Sequence, residues 1–125
     1  MTIFLIIIAI LLIHWFADFV LQTDAQAKGK SKEWRWLLAH TLTYSVVWWF
    51  VSMALIVANI LPTIFMVFAP ITFVAHTVTD YFTSRLNSRL WAEGRTHAFF
   101  VAVGFDQVLH YIQLFGTFFL LANLC

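Results

Sequence analysis

The chain has 125 residues, of which 62% are hydrophobic and 10% are charged, with a formal net charge of +1. Soluble domains carry roughly a quarter charged residues, so the composition excludes an ordinary water-soluble domain, and no nucleic-acid partner is expected. The single cysteine, Cys125, excludes a disulfide framework and a cysteine-based zinc site.

A membrane span needs about 20 apolar residues. The length therefore suits one all-α domain, a four-helix transmembrane bundle with spans at about 3–22, 35–61, 63–84 and 97–124. The first apolar run ends near Ala25-Gln26-Ala27, which looks like a signal-peptide cleavage site. No basic residue precedes the run, however, and Asp18 interrupts it, so it reads as a retained first span. Its polar residues His14, Asp18 and Gln22 recur every fourth position, a single stripe on an apolar helix. From Thr23 to Arg35 the chain turns polar, and Ser31 is the expected N-cap of the next helix.

The second segment contains His40, with Tyr44 one turn further on. A short turn around Asn59 to Thr63 follows, and Pro62 suits the first position of a new helix. Pro70 is expected to kink the third segment and release the carbonyl of Met66. That segment's stripe is Thr72, His76, Asp80 and Ser84, after which Arg85 and Arg89 lead out of the apolar layer. Glu93, Gly94 and Arg95 form a second polar turn, and the last segment carries Asp106, Gln107, His110 and Gln113.

All seven basic residues lie on two turns that fall on one face of a four-span bundle. That bias places those turns in the cytoplasm and both termini outside, in a bacterial inner membrane. Trp15, Trp34, Trp36 and Trp91 lie near the same boundary, where an aromatic belt is expected.

Three pairs of histidine and aspartate, His14/Asp18, His76/Asp80 and Asp106/His110, are each spaced four residues apart. Such residues share one helix face, and imidazole nitrogen with carboxylate oxygen suits a divalent metal. Counting from the two polar turns puts the pairs and His40 at one depth, within about 3 Å at 1.5 Å per residue. His14, Asp18, His40, His76, Asp80, Asp106 and His110 are the candidate ligands. Two zinc ions and a bridging hydroxide would neutralise three aspartates, and such a hydroxide is a nucleophile at neutral pH. The expected chemistry is metal-dependent hydrolysis of a phosphoester in an anionic lipid or lipid-linked substrate. Tyr44, Gln107 and Gln113 would orient ligands or substrate, while His97, Arg85 and Arg95 would contact the substrate's head group. Three alternatives stay open: a divalent-metal transporter, a non-catalytic membrane partner of another protein, and pairs that merely link helices by hydrogen bonds. Oligomerisation is compatible with all of them.

The stretches HWFADFVLQTDAQAKGKSK, HTVTDYFTSR and HAFFVAVGFDQVLH, with His40 between the first two, resemble a family of small bacterial and phage membrane proteins of unknown function. More distantly, the histidine/aspartate pairs are similar to those of bacterial inner-membrane metal-dependent hydrolases and of the helical zinc phospholipase C and nuclease superfamily. That likeness implies a multi-zinc centre at His14/Asp18, His76/Asp80 and Asp106/His110.

Overall fold

The computed structural model describes residues 2–124, so Cys125 lies outside the described residues. Among these, every regular element is helical. Helix α1 spans Ile3–Trp15 and runs into a π-helical turn, Phe16–Val20. A short α2 (Asp24–Gly29) leads into α3 (Trp34–Val57). A 3-10 segment, Thr63–Val67, precedes α4 (Phe68–Ala92), and α5 (Thr96–Asn123) completes the chain. Four of these helical stretches are long and apolar enough to cross a membrane: Ile3–Val20, Trp34–Val57, Thr63–Ala92 and Thr96–Asn123.

Local chemistry explains the boundaries. Thr23 and Gln26 form a reciprocal capping box at α2, with Gln26 N–H donating to Thr23 Oγ1 and Thr23 N–H to Gln26 Oε1. The polar stretch between the first two long helices is therefore partly helical, where a polar turn was expected. Gly29 lies flat against Trp36, and any Cβ there would collide with the indole, so glycine lets α2 fold back onto α3. Glu33, in extended conformation, is the N-cap of α3. Ser31 does not serve, because the Lys32 and Glu33 N–H groups both close on the Gly29 carbonyl and delay the helix start. Asn59 (φ 56°) and Gly94 (φ 69°) take left-handed conformations at the other two turns, as short polar side chains and glycine allow.

Pro70 does not kink a long helix. It sits in the first turn of α4, where its missing N–H has no intrahelical acceptor to abandon, and Met66 belongs to the preceding 3-10 segment. The break in backbone geometry thus falls before the proline.

The buried faces follow helical periodicity. On α4 they are Thr72, His76, Asp80 and Ser84; on α3, Leu37, His40, Thr41, Tyr44, Ser45, Trp48 and Ser52. Away from the basic turns, Ile10, Trp48, Phe65, Phe68, Leu114 and Leu121 make an apolar core, with Phe65 against Phe118 at 5.2 Å between ring centroids. Toward those turns the interior is polar. The outer faces are apolar instead, with Phe50 68% and Val57 80% exposed.

Candidate metal centre

The cluster is built from three long helices and the π-helical turn. In that turn the Leu21 N–H bonds to the Phe16 carbonyl, five residues back, which adds a residue to the turn and rotates Asp18 relative to His14. The first pair consequently divides. His14 Nε2 is 3.7 Å from Asp18 Oδ2, but each residue has closer partners elsewhere.

Asp18 Oδ1 faces His40 Nε2 at 3.0 Å and His76 Nε2 at 3.5 Å. The two ring nitrogens are 3.2 Å apart. Asp80 Oδ2 completes the group, 3.3 Å from His40 Nε2 and 3.6 Å from His76 Nε2. A tetrahedral zinc with bonds of about 2.0–2.1 Å sets its ligand atoms about 3.3–3.4 Å apart. Five edges between these four atoms straddle that length, and all four residues are buried. Asp18, His40 and His76 alone form a two-histidine, one-carboxylate face.

A second group shares His76 and Asp80 and adds His110. His110 Nδ1–H donates to the Asp106 backbone carbonyl at 2.8 Å, which leaves Nε2 as a lone pair in the neutral ring. That lone pair lies 3.4 Å from Asp80 Oδ1 with no hydrogen-bond partner. Two acceptors facing each other in a buried site call for a proton or another cation between them.

His14 and Asp106 stand aside from both groups. The Tyr44 hydroxyl donates to His14 Nδ1 at 2.8 Å, His14 Nε2–H donates to Gln107 Oε1 at 2.8 Å, and Gln107 Nε2 donates to Asp106 Oδ2 at 3.1 Å. With both nitrogens engaged, His14 acts through Tyr44, whose ring stacks on His76 at 4.0 Å. Tyr44→Phe keeps the ring on His76 and removes only the bond to His14, so zinc titration in detergent is expected to show a loss of less than about tenfold, below the loss that follows removal of a ligand's own hydrogen bond.

Lys30 was not among the candidates. Its ammonium donates to Asp80 Oδ2 at 2.8 Å, and its side chain is only 18% exposed. Burial would push the ammonium pKa down, but the Asp80 and Asp18 carboxylates outweigh that and hold it above the ordinary lysine value. The sequence shows Lys30 only as one of several basic loop residues. Its single signal was indirect: three buried aspartates need positive charge from somewhere.

Other candidates lie apart from the cluster. Gln113 donates to Thr72 and Thr117, each at 3.2 Å. Arg85 donates to the Tyr81 carbonyl and covers the Tyr81 ring at 3.7 Å. Arg95 pairs with Glu93 at 3.6 Å, and His97 is exposed.

Fold and site together define an all-helical protein with four potential spans around a buried histidine–aspartate cluster. The chain belongs to DUF3307, a protein family of unknown function, which matches residues 6–123. No curated protein and no solved structure matches it.

Proposed function

We propose that this is an integral membrane protein of the bacterial inner membrane that holds a divalent metal ion, zinc by its donor set, and hydrolyses a phosphoester of an anionic lipid or lipid-linked substrate. The observation that carries the reading is the buried group Asp18 Oδ1, His40 Nε2 and His76 Nε2, 3.0–3.5 Å apart, with Asp80 Oδ2 beside both histidines. Membrane embedding is supported by the apolar exterior around a polar interior. The basic turns support a cytoplasmic mouth.

Lys30 changes the charge count behind two zinc ions. Asp18, Asp80 and Asp106 carry three negative charges against one positive charge on Lys30 and one on the proton between His110 and Asp80, so one divalent ion brings the site closer to neutral than two. Asp80 is the exchangeable corner of the set, because Lys30 draws the same oxygen away from it. Asp18, His40 and His76 would hold the ion, and three protein ligands are the number that catalytic zinc sites use. Zinc held there would supply Lewis-acid activation of water. Asp80 would be placed to accept a proton from the attacking water, and Lys30 to steady the charge gained by the phosphoryl oxygens.

A second reading is favoured by Asp80, whose Oδ2 lies 3.3 and 3.6 Å from the two histidines. With Asp80 as a fourth ligand, the site would suit a held or transported ion as well as a catalytic one. Purified protein in liposomes separates the two. Hydrolysis of a p-nitrophenyl phosphodiester or of labelled anionic lipid, abolished by chelator and restored by zinc, supports the hydrolase. Zinc flux into the vesicles without hydrolysis sinks it.

A further inference from the structure

Between the cluster and the basic turns lies a cavity of about 660 Å³, within the size range of small-molecule sites. Asp18, Lys30, Asp106 and Gln107 line it, so its floor reaches the edge of the cluster at Asp18 and at Lys30, the partner of Asp80. Its walls are of three kinds. Lys28 and Lys32 join Lys30 in supplying ammonium groups suited to a phosphate. Gln22, Ser31, Ser84, Asn87 and Ser88 supply amides and hydroxyls. Gln22 Oε1, Ser84 Oγ and Asn87 Oδ1 are buried without a hydrogen-bond partner in the protein, so a side-chain rotation that turns them to a ligand in the cavity breaks no bond. Amide oxygens of that kind call for a hydrogen-bond donor, and beside Lys28, Lys30 and Lys32 a neutral hydroxyl fits where an ammonium would be repelled.

The third wall is apolar. Phe19, Trp91 and Phe100 line the cavity and are also 46%, 61% and 62% exposed on the outer surface of the helices, so the cavity continues sideways into the apolar exterior. A free polar metabolite has no use for that flank, whereas an acyl chain fills it. We infer that the cavity binds a lipid whose phosphate head group carries hydroxyls, such as a glycerol or sugar phosphate, with the phosphate at the lysines and the chains passing Phe19 and Phe100. The inference deepens the proposed hydrolase reading by naming its substrate class, and rests on that reading only for cleavage.

Binding is measured by titration calorimetry in detergent, with chelator present so that no turnover occurs. The probes are dihexanoyl phosphatidylglycerol, dihexanoyl phosphatidylmethanol, which keeps the charge and chains but lacks the hydroxyls, and glycerol 3-phosphate. The expected result is phosphatidylglycerol binding at least about tenfold tighter than either other probe, the amount one or two hydrogen bonds supply. Ser84→Ala with Asn87→Leu is expected to bring phosphatidylglycerol down to the level of phosphatidylmethanol. Equal binding of the two lipids by the unaltered protein overturns the hydroxyl recognition, even if the double variant fails to fold. Glycerol 3-phosphate binding as tightly as phosphatidylglycerol overturns the lipid. If the lipid preference holds but zinc-loaded protein cleaves no phosphoester, the hydrolase reading fails and this inference stands.

Discussion

His76→Ala is expected to abolish metal binding and cause the largest loss of function of any single substitution. His76 Nε2 lies 3.2 Å from His40 Nε2, 3.5 Å from Asp18 Oδ1 and 3.6 Å from Asp80 Oδ2, and the residue belongs to both candidate ligand groups. It is 1% exposed, and alanine offers no donor atom in its place. The unaltered protein should purify with about one zinc per chain, the number that the charges of Lys30 and three aspartates leave room for. Metal at a thousandfold excess over Kd contributes about 4 kcal/mol of stability, so chelator should lower the melting temperature of the unaltered protein. His76→Ala should carry less than a tenth of the metal, and its melting temperature should ignore chelator. His76→Gln, which keeps most of the volume, separates the loss of a ligand from the loss of packing. Normal zinc content in both variants would refute the assigned centre.

The second large effect concerns Lys30. Replacing it with methionine leaves Asp80 and Asp18 buried beside each other without their cation, and breaking one side of a buried ion pair costs about 3–5 kcal/mol. Lys30→Met should therefore melt well below the unaltered protein when metal is withheld. Adding zinc should raise its melting temperature more than that of the unaltered protein, because the ion supplies part of the missing positive charge. The double variant Lys30→Met with Asp80→Asn should lose less than the sum of the two single losses, by about 1–3 kcal/mol. Additive losses, together with an equal zinc response in both proteins, would show that the ammonium matters only for folding the loop.

These expectations depend on different amounts of tertiary information. The stripe Thr72, His76, Asp80 and Ser84 was legible because residues four apart share a helix face, and an apolar helix turns its few polar groups inward. Depth counting set His40 level with His14, and Asp80 and His76 level with Asp106 and His110, across the two polar turns; the meeting of His40 with His76 and Asp80 comes from the packing of α3 on α4. Asp106 and His14 have the same spacing but face other partners. Their roles depend on rotation about the helix axis, which the π-helical turn at Phe16–Val20 alters and which spacing alone does not reveal. Pro70 was misplaced for a related reason: its effect depends on where the helix begins, and the 3-10 segment at Thr63–Val67 moves that point.

The sequence by itself determined four apolar helices, their polar stripes and the residue types of a buried histidine–aspartate cluster, because composition and helical period are local properties. Only the tertiary structure decided which atoms meet. Lys30 reaches Asp80 across fifty positions because the capping box at Thr23 and the bare backbone of Gly29 fold α2 back against α3. A ligand set requires atoms placed to within a few tenths of an ångström, and that precision comes from how the helices pack and rotate against one another, not from spacing along the chain.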